Sequence, residues 1–430
     1  MSGKPEVLVV GAGLAGLTCA WHLHRAGIPF HILEASSSVG GRVQTDEVDG
    51  FLFDRGFQVL LTAYPEAQDL LDYEPLSLGE FYSGSLVRVA DRFHRIADPF
   101  RHPIDSVPSL LSPVGTFVDK LRVARLRQRV LAGEVDDIFK RPERRTIDAL
   151  KSDGFSDSII DTFFRPFLGG VFLDPDLQTT SRMFEFVFRM FSLGKAALPG
   201  NGMRAIPEQV LSLLPSGSVS LNSAVKTIDG AKVILASGER LTADVVVVAT
   251  DGPAAAKLLG FPAPRTSSVA CLYFAADHPP VNEPVLVLNG NGDGPVNNLC
   301  VPSLVNSSYA LPGATLISAT VLRPDQYRSA PLELAVREQL DEWFDGRVSK
   351  WQHLKTYWIE NALPQQLSLS LMGQQVAQGP GLYLCGDHTD TASINGAMSS
   401  GRRTAQTVIR DLTGFRGEPP TYTATHAQHA

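Results

Sequence analysis

The stretch from Val7 to Arg42 constrains the fold of this 430-residue chain more than any other. Val7-Leu-Val-Val10 is an unbroken apolar run, as expected of a strand buried on both faces. It leads straight into Gly11-Ala-Gly13-Leu14-Ala15-Gly16. A helical stretch from Leu17 to Ala26 follows, closed by Gly27, and a second apolar run, Ile28 to Leu33, ends in Glu34. Strand, glycine turn, helix, strand and acid in that order form a Rossmann-type unit that holds a dinucleotide. Gly11 permits the tight turn, Gly13 lets backbone approach a pyrophosphate, and Gly16 lets helix pack on strand. The unpaired N–H groups at the helix start face the same anion. Gly11, Gly13, Leu14, Ala15 and Gly16 are therefore candidate pyrophosphate residues. Glu34, with Ala35 beside it, is placed to accept from a ribose hydroxyl. The alternative, an ordinary glycine-rich turn, does not account for the acid at that spacing.

The bulk numbers narrow the class. A chain this long, 44% hydrophobic and 19% charged, has enough core for two domains. A net charge of −7 argues against general nucleic-acid binding. Cys19, Cys271, Cys300 and Cys385 lie far apart with no metal-ligand spacing, so no metal is expected and a reduced, cytoplasmic compartment fits. The first strand starts at once, so no signal or transit peptide is expected. No apolar run approaches the roughly twenty residues of a membrane-spanning helix.

Beyond Glu34 comes Gly40-Gly41-Arg42-Val43, where two glycines beside a cation can form a second anion cradle. With the N-terminal unit, this element resembles the FAD-dependent amine oxidase, phytoene desaturase and protoporphyrinogen oxidase superfamily. The resemblance implies FAD rather than NAD, with Gly41 and Arg42 at the cofactor. Asp49-Gly50 signals a hairpin, and Asp54 and Gly56 match the family's acid-and-glycine segment. That match implies that Gly56, Phe57 and Gln58 run close to the flavin ring; Asp54 reads equally as a turn or cap residue. Leu198-Pro-Gly-Asn-Gly-Met203 resembles the family's proline-glycine-methionine element, with a helix expected over 204–214. Strands are expected from Val219 to Ile228, Ala231 to Ala236 and Leu241 to Ala249, turning at Asp229-Gly230 and Ser237-Gly238. In relatives the valine of the first strand meets adenine through its backbone, which makes Val225 the candidate. Gly381 to Gly386 reads as a last buried strand before Asp387, and Ser393-Ile-Asn-Gly-Ala opens a helix to about Leu412. The resemblance implies that Gly386 and Asp387 meet the ribityl and phosphate region. It places Asn395, Gly396 and Ala397 beneath the pyrimidine edge of the flavin. There the positive end of the helix dipole stabilises charge on a reduced ring.

The expected architecture is α/β: a Rossmann-type FAD-binding domain, parallel sheet plus β-meander, with a discontinuous α+β substrate domain. Residues 1–61, 196–265 and 376–413 are assigned to the first, 62–195 and 266–375 to the second, and 414–430 to a disordered tail. Residues 75–118, rich in proline and aromatics, read as an insertion. The basic stretch from Lys120 to Arg145 reads as a solvated helix salted by Glu134, Asp136, Asp137 and Glu143, with peripheral contact to anionic lipid as the alternative. Residues 155–191 are rich in phenylalanine, mostly core at helical spacing, with some left to line an apolar tunnel. A break is expected at Arg165-Pro166 and a flexible joint at Gly169-Gly170. Strands are expected near Val269 to Phe274 and Ala314 to Leu322, and a helix from Pro331 to Phe344. Gly290-Asn-Gly-Asp-Gly294 opens no helix and reads as a loop, so NADPH is not expected as electron partner.

No catalytic residue announces itself. Arg165 and Tyr357 are pocket candidates that read better as structural, and His388 reads as facing solvent. Amine oxidases of the superfamily commonly carry a lysine where this chain has Ala270. The preferred function is an FAD-dependent oxidoreductase taking hydride from a C–H bond of a hydrophobic small molecule, polyene or isoprenoid and carotenoid desaturase-like. The alternatives are an amine or porphyrinogen oxidase, a flavin-assisted isomerase, and a non-catalytic carrier of prenylated proteins on the same fold.

Overall fold

The computed structural model describes residues 6–105, 109, 112–328, 331–369 and 376–414. The tail assigned to disorder lies, apart from Gly414, outside the described residues. Two large sheets organise the chain. The first has six strands in the order Val219–Ser220, Phe30–Leu33, Val7–Val10, Val245–Val248, Leu382–Leu384 and Ala377–Gly379. The first five run parallel, with Val7 opposite both Phe30 and Val245. Val7–Val10 and Val245–Val248 are buried at every residue, which is why both sequences are apolar without alternation. The helices Leu14–Arg25 and Ile394–Thr413 pack together over one face of this sheet. A β-carbon at Gly401 would lie 2.3 Å from the Ala15 carbonyl oxygen, so only glycine allows that approach.

The second sheet has seven strands: Gln352–Pro364, Thr266–Ala276, Thr315–Leu322, Val296–Cys300, Leu286–Asn289, Gly84–Val89 and Arg92–Ala97. Its two faces are sorted by period-2 alternation. Ala270, Leu272, Phe274, Leu299, Ile317 and Ala319 pack with Val336 and Leu340 of the helix Leu332–Trp343. Cys271, Tyr273, Cys300 and Leu316 face the opposite way, into the core shared with the first sheet.

Several local expectations need correction. Residues 84–97 are no insertion but a hairpin at the edge of the second sheet. The run Val219 to Ile228 divides into Val219–Ser220, in the parallel sheet, and Val225–Asp229, in the three-stranded meander with Lys232–Leu235 and Arg240–Thr242. The run from Leu241 likewise divides between meander and central strand. Arg165-Pro166 does not break its helix. A π-turn over Ile160–Phe164 leads into the α-helix Arg165–Phe172, so Pro166 sits within a continuous helical stretch whose wider preceding turn accommodates its ring and missing N–H. Gly169 and Gly170 lie inside that helix rather than at a joint. The basic stretch is largely neutralised within the fold: Arg129 pairs with Asp153 and Glu185, Arg141 with Glu185, and Arg145 with Asp148.

Candidate functional site

A cavity of about 1090 Å³ runs between the two sheets. It exceeds the roughly 300–1,000 Å³ of an ordinary single-ligand site, so it has room for more than one ligand. One end is the glycine turn. Gly13 caps the first helix with no side-chain bond, so the helix opens on the cavity with its N–H groups free of side-chain caps. A β-carbon at Gly13 would meet nothing within 4 Å, which marks open space against the bare backbone. Gly40 (φ +111°) and Gly41 (φ +60°) bend the next loop over it, and Gly40 N donates to the Ala12 carbonyl at 2.8 Å. Glu34 is buried. Its carboxylate accepts from Ala12 N at 2.7 Å and from both Ser36 N and Ser36 Oγ at 2.8 Å. Those bonds hold it still at the end of its strand while it lines the cavity.

The other wall comes from the C-terminal segment. Ser393 caps the last helix, its Oγ accepting from Gly396 N at 3.0 Å. Arg42 Nη2 donates to Asp387 Oδ1 at 2.6 Å and Nη1 to the Ala362 carbonyl at 3.1 Å. Burial works against the guanidinium's charge, but attraction to Asp387 prevails and its pKa is raised. This pair ties the N-terminal loop to the C-terminal strand end across 345 residues. Gln58 Nε2 donates to the Arg42 carbonyl at 2.8 Å, which brings residues 56–58 into the same wall.

Asp54 sits behind that wall, fully enclosed. Its Oδ1 accepts from Thr45 Oγ1 at 2.5 Å and Met203 N at 2.9 Å, and its Oδ2 from Tyr309 OH at 2.8 Å. Its carbonyl accepts from Tyr273 OH at 2.8 Å. Burial is the largest influence on the carboxyl and raises its pKa to about 6, against the pull of those donors.

Of the residues singled out in the sequence, Gly11, Gly13, Leu14, Ala15, Glu34, Ala35, Gly41, Arg42, Gly56, Phe57, Gln58, Val225, Gly386, Asp387 and Ala397 line this one cavity. Gly16, Asn395 and Gly396 stand behind its wall. A β-carbon at Gly16 would meet Gly11 O at 2.0 Å, and one at Gly396 would meet Thr391 O at 1.8 Å. Asn395 turns its carboxamide away and accepts from Glu66 N at 3.1 Å. His388 does not face solvent: both ring nitrogens are buried without a partner, and burial lowers its pKa, which keeps the ring neutral. Arg165 is engaged with Asp161 and the Pro175 carbonyl, and Tyr357 donates to Asp46 Oδ2 at 2.6 Å. Ala270 belongs to the far face of its sheet, so its neighbour Val269 reaches the cavity instead.

The charged lining residues are Glu34, Arg42, Arg55, Lys226, Asp251, Lys257 and Asp387, of which Arg55 adjoins Gly56 and is paired with Asp46. The far end of the cavity is built by Phe167, Val171, Met183, Val187, Phe191 and Leu286. The phenylalanines divide accordingly. Phe155, Phe164, Phe184 and Phe188 form one string in the core, and Phe163, in edge contact with Phe164, continues through Phe167 and Phe191 to the cavity. Asn298 and Thr320 also line it and went unnoticed in the sequence. Their only local signal is a polar pair, Asn297-Asn298, beside an apolar run.

A long cavity with two glycine cradles and an anchored acid defines a dinucleotide-binding protein of Rossmann type. The pattern of the flavin containing amine oxidoreductase family matches residues 14–409, and the chain belongs to that family. It is an FAD-dependent oxidoreductase. It is 26% identical over 185 residues to protoporphyrinogen oxidase 2 of Arabidopsis thaliana, covering 43% of this chain and 36% of that one. It is 23% identical to 15-cis-phytoene desaturase of Solanum lycopersicum, over 95% of this chain and 78% of that one. The structure of putrescine oxidase bound to putrescine superposes with a TM-score of 0.67 at 16% identity, over 95% of this chain and 99% of that one, a likeness of fold.

Proposed function

We propose that this oxidoreductase takes hydride from a C–H bond of a neutral, hydrophobic substrate of polyene or isoprenoid type. The carrying observation is the lining. Among the described residues, no charged side chain from 62–195 or 266–375 reaches the cavity. A cationic amine, or a porphyrinogen with its carboxylates, would leave its charge unpaired there at a cost of several kcal/mol, because Arg55, the charged lining residue beside Gly56, is already paired with Asp46. The length of chain matched to phytoene desaturase supports the same reading.

FAD, when bound, supplies the hydride acceptor. We assign Gly11, Gly13, Leu14 and Ala15 to its pyrophosphate, Glu34 and Ala35 to the ribose, and Val225 to the adenine. Gly41, Arg42, Gly386 and Asp387 take the phosphate and ribityl region. Gly56, Phe57, Gln58 and Ala397 take the ring, with Gly16, Asn395 and Gly396 holding the two helices that carry the site. The chain's remaining work is to position the substrate, to exclude water through Phe167, Val171 and Phe191, and to aim the last helix's N-terminus at developing negative charge. No protein base is required. Residues 1–61, 196–265 and 376–413 form the nucleotide domain in this reading, and 62–195 with 266–375 the substrate domain.

Peripheral contact with a membrane would run through the first turn of the helix Phe117–Leu131, where Phe117, Val118 and Leu121 are 60%, 50% and 57% exposed. Among the described residues no helix is long and apolar enough to cross a bilayer. The test of function is anaerobic reduction of the bound flavin by carotenoid precursors, amines and porphyrinogens in parallel. Bleaching by polyenes is expected; bleaching by amines or porphyrinogens alone overturns the reading.

A further inference from the structure

The substrate end of the cavity has three polar groups in its wall among the described residues: Tyr64, Asn298 and Thr320. Tyr64 is already bonded to Ser393 at the cap of the last helix. Asn298 and Thr320 are different. They face each other in register on the strands Val296–Cys300 and Thr315–Leu322, 2% and 3% exposed. Asn298 Nδ2 donates to Thr320 Oγ1 at 3.3 Å. Asn298 Oδ1 accepts from Asn297 Nδ2 at 2.9 Å, and Asn297 is itself held by the Pro166 carbonyl at 2.9 Å. The carboxamide is thus clamped in one orientation. Its bonds leave one Nδ2 hydrogen and the Thr320 hydroxyl hydrogen without an acceptor among the described residues. Each is a buried donor, and a buried donor left unmet is unfavourable.

The helix above keeps this pair uncovered. Gly170 lines the cavity beside it, and a β-carbon there would lie 3.0 Å from Asn297 Nδ2 and 3.1 Å from Asn298 Oδ1. Leucine and valine would fill these two buried strand positions without polar atoms to satisfy, and alanine would serve a helix interior better than glycine by about 1 kcal/mol. All three departures fall at one spot.

We propose that Asn298 and Thr320, opened by Gly170, recognise one neutral oxygen, a hydroxyl or carbonyl, on an otherwise apolar substrate. The substrate is then an oxygenated isoprenoid or polyene rather than a pure hydrocarbon. This rests on the apolar-substrate reading above. The test is equilibrium dialysis of the flavin-loaded protein against geranylgeraniol and against the hydrocarbon of the same twenty-carbon skeleton. The alcohol should bind about tenfold tighter. Thr320→Val, which keeps the shape, should erase most of that preference and leave the hydrocarbon's affinity unchanged; Asn298→Leu should do the same. Should Asn298→Leu fail to fold, the isosteric variant carries the test. Equal binding of the two probes by the native protein overturns this inference and leaves the apolar-substrate reading standing, as does a preference that survives Thr320→Val. Binding of neither probe overturns both.

Discussion

Replacing Asp54 by asparagine should make the protein more stable than its parent at neutral pH relative to acid. In the native fold burial lifts this carboxyl from 3.8 to about 6. Below pH 3.8 it is protonated both folded and unfolded, and no penalty exists. Between about 4 and 6 the unfolded chain has lost its proton while the folded one keeps it, so stability falls as pH rises. Above 6 both forms are ionised and the full penalty stands, about 3 kcal/mol from the distance between the two values. Asparagine does not titrate. It can still accept from Thr45 and Met203 and, through its amide, donate to Tyr309. The neighbouring groups stay silent in this window: burial raises Cys271 to about 11 and lifts Cys300, Tyr273 and Tyr309 well above their ordinary values. The assay is urea unfolding of both proteins at pH 4, 5, 6 and 7 with flavin in excess. Other carboxylates tilt both curves alike, so the difference isolates residue 54. It should climb by about 2.4 kcal/mol in favour of the variant from pH 4 to 7, since part of the penalty is already present at pH 4. A difference flat within about 0.5 kcal/mol would refute the claim that this charge is buried against its preference.

Glycine substitutions should separate binding from folding. Gly13→Ala places its methyl in open cavity, so the melting temperature of the flavin-free protein should hold while FAD binds at least tenfold more weakly. Gly401→Ala drives a methyl to 2.3 Å from the Ala15 carbonyl, and the flavin-free protein itself should lose about 1–3 kcal/mol in urea unfolding. Arg42→Ala leaves Asp387 buried without its partner and should cost about 2 kcal/mol or more by the same measurement, together with lost flavin on gel filtration. Ser393→Ala removes the cap of the last helix; about 1 kcal/mol should go, and Ser393→Gly should cost less. Phe117→Ser with Leu121→Ser should abolish flotation with anionic vesicles at no cost in melting temperature, and flotation that persists places lipid contact elsewhere.

What was legible in the sequence was what local spacing encodes. The N-terminal unit is a contiguous pattern whose residues are neighbours in the fold, so Gly11, Gly13 and Glu34 could be placed from twenty-odd letters. The same holds for the start of the last helix at Ser393, read from its own local run of residues. The errors come from contacts that spacing does not carry. Residues 84–97 pair with Leu286–Asn289, two hundred residues on, and turn at Ala90 (φ +55°) rather than at a glycine. Pro166 sits inside a continuous helical stretch because a π-turn precedes it, and no propensity scale marks that turn. Asn298 and Thr320 become a pair only once two strands are in register.

The hairpin Thr45–Val48 and Phe51–Asp54 shows why the two halves of such a site need not be neighbours in sequence to act together. Three tyrosines from more than two hundred residues along the chain grip it: Tyr273 on the Asp54 carbonyl, Tyr309 on the Asp54 carboxylate, and Tyr357 on Asp46. The chain leaving the hairpin is bonded through Gln58 to the Arg42 carbonyl, and Arg42 to Asp387. A displacement of the second sheet therefore reaches the Arg42 loop through hydrogen bonds of 2.6 to 2.8 Å. Rigid coupling of this kind suits chemistry that asks only for a C–H bond held against a ring, because such a reaction gains its rate from placement rather than from an acid or a base. It also explains why the buried carboxylate at 54 is kept at a cost to stability: an apolar residue there would pack as well, but it could not hold a strand, a turn and a tyrosine at once.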